Sequence, residues 1–123
     1  MDITVTAGIS AYDQTTQDRQ AIGPKQVKVT QSGQGDDGGI RDIGTTEEVV
    51  TFTDITTNGL LYLENLDPTN YVQFGPTSGG AMVVQGRLNP KDPPAIFRLE
   101  PGAVLRLKAN VAACKVRIRI WNA

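Results

Sequence analysis

Apolar and charged side chains alternate without a fault near the C-terminal end of the chain. In residues 115–121, Val116, Ile118 and Ile120 fall on one side, and Lys115, Arg117, Arg119 and Trp121 on the other. That is the period-two pattern of a strand with one buried face. Leu105 and Leu107 alternate with Arg106 and Lys108, and Phe97 and Leu99 flank Arg98. Between these runs stands Pro101-Gly102, a pair suited to a turn with positive φ at the glycine.

The middle of the chain continues the pattern. Residues 48–53 alternate, with Val50 and Phe52 in the buried phase, and Asn58-Gly59 follows as a hairpin signal. Residues 60–66 are apolar on both faces, as in a central strand covered on two sides. Asp67-Pro68-Thr69-Asn70 reads as a turn with proline in its favoured second place. Residues 71–74 and 81–88 read as strands around a glycine-rich loop. In the first third, residues 3–6 and 26–30 read as strands. Residues 7–25 are polar and are expected as an extended arm or loop, with at most a helical turn at 13–22. Residues 32–46 hold glycines 33, 35, 38, 39 and 44 and are expected as a second loop.

Nine candidate strands and no convincing helix define an all-β chain, and 123 residues fit one domain. The expected architecture is a β-sandwich, jelly-roll-like, of about eight or nine strands over residues 1–123. Abundant β-branched residues, 13 glycines and 7 prolines agree with short strands joined by tight turns. No apolar run is long enough to span a bilayer as a helix. The N-terminal residues have neither a basic start nor an apolar core, so no signal peptide is expected.

Charge and chemistry narrow the function. The chain has no histidine and one cysteine, which removes most triads and most metal enzymes and leaves no internal disulfide. Cys114, at the start of an apolar run, reads as a small buried hydrophobe. No phosphate-binding loop is present, because the glycine-rich run 33–39 lacks the Gly-Lys-Ser/Thr ending. Asp36, Asp37 and Asp42 are candidate Ca²⁺ ligands, set against the reading of solvated acids in a loop. Glu47, Glu48, Glu64 and Glu100 offer no placed carboxylate pair. The chain is therefore expected to be non-enzymatic and without a cofactor.

The charges are unevenly distributed. Residues 1–80 carry 4 basic side chains against 11 acidic ones, and residues 81–123 carry 8 against 2. Lys115, Arg117 and Arg119 share a strand face, with Arg98, Arg106 and Lys108 expected on the same sheet and Trp121 beside them. This basic ladder reads either as a solvated outer face or as a docking face for an acidic partner. Nucleic acid is disfavoured by the shortage of exposed aromatics and the net charge of −1.

Two stretches carry a resemblance. Residues 60–75, containing Asn65-Leu66-Asp67-Pro68-Thr69-Asn70-Tyr71-Val72, and residues 97–102, Phe97-Arg98-Leu99-Glu100-Pro101-Gly102, resemble segments of small all-β virion proteins of tailed bacteriophages. Ala103 stands where those proteins often have an acid, and no spacer separates Phe97 from Arg98. The resemblance spans about 50 residues and implies a capsid decoration or cement protein on the outer shell. The implied partners are the major capsid protein and further copies of the chain, most simply as a trimer, with no membrane. A tail, connector or fibre subunit and a carbohydrate-binding module are the alternatives.

Overall fold

The computed structural model describes residues 2–12, 15–17, 19–31 and 35–123. The described residues contain strands and no helix. They divide into two compact units, Met1–Ser32 and Gly33–Ala123, where the sequence suggested a single domain.

The first unit is an antiparallel hairpin of β1 (Asp2–Tyr12) and β2 (Arg19–Thr30). Much of the expected arm, residues 7–12 and 19–25, is therefore paired strand and not loop. Low apolar content hid it, because this ladder is held by backbone pairing and almost all its described side chains are exposed.

The second unit is a β-sandwich. One sheet runs β3-β11-β5-β9, from β3 (Asp36–Ile43), β11 (Cys114–Asn122), β5 (Asn58–Asn65) and β9 (Ala95–Arg98). The other runs β4-β10-β6-β7, from β4 (Glu48–Val49), β10 (Leu105–Ala109), β6 (Val72–Ser78) and β7 (Ala81–Met82), with β8 (Gly86–Leu88) also paired to β6. Outside the local β6-β7-β8 run, each connection from β3 onward passes from one sheet to the other. Between the sheets lie Leu61, Leu63, Val116, Ile118 and Ile120 from the first, and Val72, Leu88, Leu105 and Leu107 from the second. At roughly 1.5–3 kcal/mol for each large aliphatic side chain, this core dominates stabilisation of the unit.

Among the described residues eleven strands form where nine were expected, for two reasons. The run 81–88 splits into β7 and β8. The run 32–46, expected as a loop, contains β3, which pairs along its whole length with β11. Glycine and aspartate are poor strand formers. Here glycine is required, since a Cβ on Gly38 would collide with the backbone of Ile118 and Arg119.

Asn58-Gly59 also departs from expectation. It opens β5 and turns no hairpin, because β4 pairs with β10 in the opposite sheet. Asn58 Nδ2 instead donates to Glu100 O at 3.2 Å and Ala103 O at 3.0 Å. Those carbonyls flank the Pro101-Gly102 turn, which forms as read, with φ +83° at Gly102 and Ala103 N donating to Glu100 O.

Candidate docking surface

The outer face of the β3-β11-β5-β9 sheet is set by register. Lys115 stands opposite Asp42. Arg117 lies between Ile40 and Glu64, and Arg119 between Gly38 and Tyr62. Tyr62 in turn faces Ile96, and Leu60 faces Arg98. The alternation of β11 thus puts the basic ladder on this face and buries Val116, Ile118 and Ile120 on the other.

Each rung of the ladder has an acidic partner on a neighbouring strand. Lys115 Nζ reaches Asp42 Oδ1 at 3.0 Å, Arg117 Nη1 reaches Glu64 Oε1 at 2.8 Å, and Arg119 Nη1 reaches Asp36 Oδ2 at 2.7 Å. The face is therefore electrically mixed and not a bare cationic stripe. Exposed pairs of this kind contribute about 0.2–1 kcal/mol each. Tyr62 donates its hydroxyl to Glu64 Oε1 at 3.2 Å. Burial, then the Glu64 charge, raise the Tyr62 pKa above its ordinary value. Trp121 is half-buried at the end of the ladder. Between the charges, Ile40 is 56% exposed and Ile96 41%.

Of the remaining basic candidates, Arg98 is exposed on β9 of the same sheet. Arg106 and Lys108 belong to β10 and thus to the opposite sheet, a correction to their expected place. Arg106 is engaged there, with Nε donating to Thr77 Oγ1 at 2.9 Å and Nη1 lying 3.5 Å from Glu47 Oε2. Alternation along one strand is legible in sequence, but the assignment of strands to sheets is not.

The candidate Ca²⁺ ligands do not converge. Asp36 and Asp42 sit at opposite ends of β3, six residues or roughly 20 Å apart, and each pairs with a ladder cation. Asp37, on the alternate position, accepts N–H donations from Gly38 and Thr53 at 2.7 Å each and from Asp54 at 3.3 Å. Desolvation pushes its pKa upward, but these three backbone donors and the Arg41 charge outweigh it and hold the carboxyl below its ordinary value. Among the described residues no group of three His, Cys, Asp or Glu side chains is placed to hold a metal.

Two further features flank the sandwich core. A cavity of about 440 Å³ opens where β6 and β9 approach, lined by Phe74, Pro76, Phe97, Leu99, Glu100 and Leu105. Its walls include the stacked rings of Phe74 and Phe97, with centroids 5.9 Å apart. Cys114 is fully buried, its Sγ 3.6 Å from Ala112 O and 3.7 Å from Asn70 O. Burial, then the Asp67 charge, push the thiol pKa up, which makes it a poor nucleophile.

The two stretches that carry the family resemblance meet in this structure through Phe74 and Phe97. Their polar residues build turns. Asn65 Nδ2 donates to Asn70 O at 2.9 Å and Leu88 O at 3.0 Å, and its Oδ1 accepts from Asp67 N at 2.9 Å. Asp67 Oδ2 accepts from Thr69 N, Thr69 Oγ1 and Asn70 N. Donation from Asn70, then Thr69, lowers the Asp67 pKa.

No protein-family model, curated protein or solved structure matches this chain. Sequence does not reveal the exposed isoleucines of the outer face: Ile40 lies in a glycine-rich run without visible periodicity, and Ile96 lies in a short run that reads as an ordinary strand.

Proposed function

We propose that the chain is a non-enzymatic structural protein of a tailed-phage virion, a decoration or cement subunit seated on the outside of the capsid. One observation carries this reading. The outer face of the β3-β11-β5-β9 sheet leaves Ile40 and Ile96 exposed between cations already paired with acids. Pre-paired charges lose less on docking than an isolated cation would, because each keeps its partner when water leaves. Exposed aliphatic groups between them supply the area that docking buries. The passage of successive strands from one sheet to the other, with β7 and β8 both paired to β6, supports a jelly-roll reading of the sandwich. The two resembling segments serve here as scaffold, which agrees with a family likeness of fold.

The partner on this reading is the major capsid protein, and no cofactor takes part. Many copies on a symmetric shell give avidity without one tight interface. The test is co-sedimentation of the purified protein with undecorated shells of the phage that encodes it. Wild type is expected to saturate the shell. Ile40→Asp with Ile96→Asp is expected to reduce occupancy at least tenfold at the same concentration. Unchanged occupancy of that variant overturns the assigned face. Wild type that ignores shells but joins tails or connectors moves the chain to another part of the virion.

A further inference from the structure

The N-terminal hairpin is a sheet of two strands only. Register sets Ile3 opposite Val29, Val5 opposite Val27 and Ile9 opposite Ile22, so these six side chains share one face. Thr4, Thr6 and Ser10 lie on the other, with Lys28, Gln26 and Ala21 across from them. Ile9 is 65% exposed and Ile22 71%. Two strands alone are at best marginally stable in water, whereas three or more with an apolar face hold together.

The two outer edges of the hairpin differ. β2 carries Arg19, Pro24, Lys25 and Lys28, residues of the types that keep foreign strands away. β1 runs for 11 residues with no lysine, arginine or proline. An unguarded edge of that length is a template for another strand. The sequence of residues 2–30 is also charge-balanced, with three acidic residues against Arg19, Lys25 and Lys28. Two copies therefore meet without net repulsion.

We infer that the free edge of β1 pairs with β1 of a second copy of this chain, antiparallel about a two-fold axis at Ala7. Opposed residues of antiparallel strands share a face. A pairing centred between two residues would set the aliphatic positions of one copy against the threonines of the other. Centring on a residue keeps like with like, and Ala7, the midpoint of β1, is the centre that engages all its length. Val5 then faces the partner's Ile9, Ile3 faces the partner's Ala11, and Thr4 faces the partner's Ser10. The product is a four-stranded sheet, β2-β1-β1-β2, with its aliphatic side chains on one face and a guarded β2 at each edge. An isologous contact of this kind closes after two copies. It is a property of the purified chain and stands independently of any capsid.

The test is site-directed cross-linking of the full chain with Ala7→Cys. The introduced thiols of two copies would face one another within disulfide reach, and native Cys114 is fully buried. Mild oxidation is expected to convert most of this variant to a covalent dimer. Lys25→Cys is the control: its positions on the two β2 strands would lie roughly three strand spacings, about 14 Å, apart, and it is expected to remain monomeric on a non-reducing gel. Thr6→Lys, which adds a guard to β1, is expected to raise the dimer dissociation constant of the otherwise unaltered protein at least tenfold by light scattering. Cross-linking of Lys25→Cys as efficient as that of Ala7→Cys, no cross-linking of Ala7→Cys above wild type, or an unaltered mass for Thr6→Lys would each overturn the pairing.

Discussion

At the scale of single residues, the sandwich depends on a few side chains whose partners are backbone atoms. Asn65 is 6% exposed and satisfies the Asn70 carbonyl and Asp67 N–H of the turn after β5 and the Leu88 carbonyl at the end of β8. Asn65→Ala leaves those groups without their partner and is expected to cost about 2–4 kcal/mol, seen as a lowered urea midpoint. Gly59 meets the backbone of Trp121 and Ala123, so a methyl group there has no room. Gly59→Ala is expected to cost about 1–3 kcal/mol in the same measurement. Asp37 and Asp67 set an acid limit. Their folded pKa values lie below the ordinary 3.8, so the folded state binds fewer protons than the unfolded one. Their contribution is complete above the ordinary carboxylate pKa and is lost as pH falls through the lowered folded values. The urea midpoint of wild type is expected to fall on acidification below about pH 4. The double variant Asp37→Asn with Asp67→Asn should show a shallower fall than wild type over the same range.

At the scale of elements, β11 organises the first sheet. It supplies Val116, Ile118 and Ile120 to the core and the ladder to the outer face, and it pairs with β3 on one side and β5 on the other. The ladder explains the lopsided charge of the chain. The four ion pairs of Glu47, Asp42, Glu64 and Asp36 each join a cation from residues 106–119 to an acid from residues 36–64. Sequence halves of opposite charge thus interleave across strands. Because these pairs are exposed, a double-mutant cycle on Arg117 and Glu64 is expected to give a coupling of about 0.2–1 kcal/mol. A larger value would make the ladder a structural element in its own right. The alternations of β10 and β11 were legible in sequence, since each has one face toward the core and charges on the other; that of β5 was not, because its sequence is apolar on both faces and only the structure shows which face is fully buried. β3 was not, because its Asp-Asp-Gly-Gly start has no apolar period, and only pairing with β11 makes it a strand.

At the scale of the whole molecule, the apolar core cluster lies entirely within residues 43–120. Removal of residues 1–30 is therefore expected to leave the sandwich folded, with its β-type circular dichroism kept and its urea midpoint within about 0.5 kcal/mol of the full chain. A loss of several kcal/mol would assign the hairpin to the stability of the sandwich. Retained stability with lost self-association is the outcome expected if the hairpin serves assembly.

The sequence by itself determined the all-β class, the buried phase of β10 and β11, the Pro101-Gly102 turn and the absence of histidine chemistry. Each of these depends on local pattern or composition, which one strand or one turn expresses without its neighbours. Only the tertiary structure decided which strands share a sheet. That moved Arg106 away from the ladder, gave each ladder cation an acid, separated Asp36 from Asp42, and turned two expected loops largely into paired strands. Strand pairing is a contact between residues distant in the chain. A polar or glycine-rich segment carries no periodic trace of a partner that binds it through its backbone.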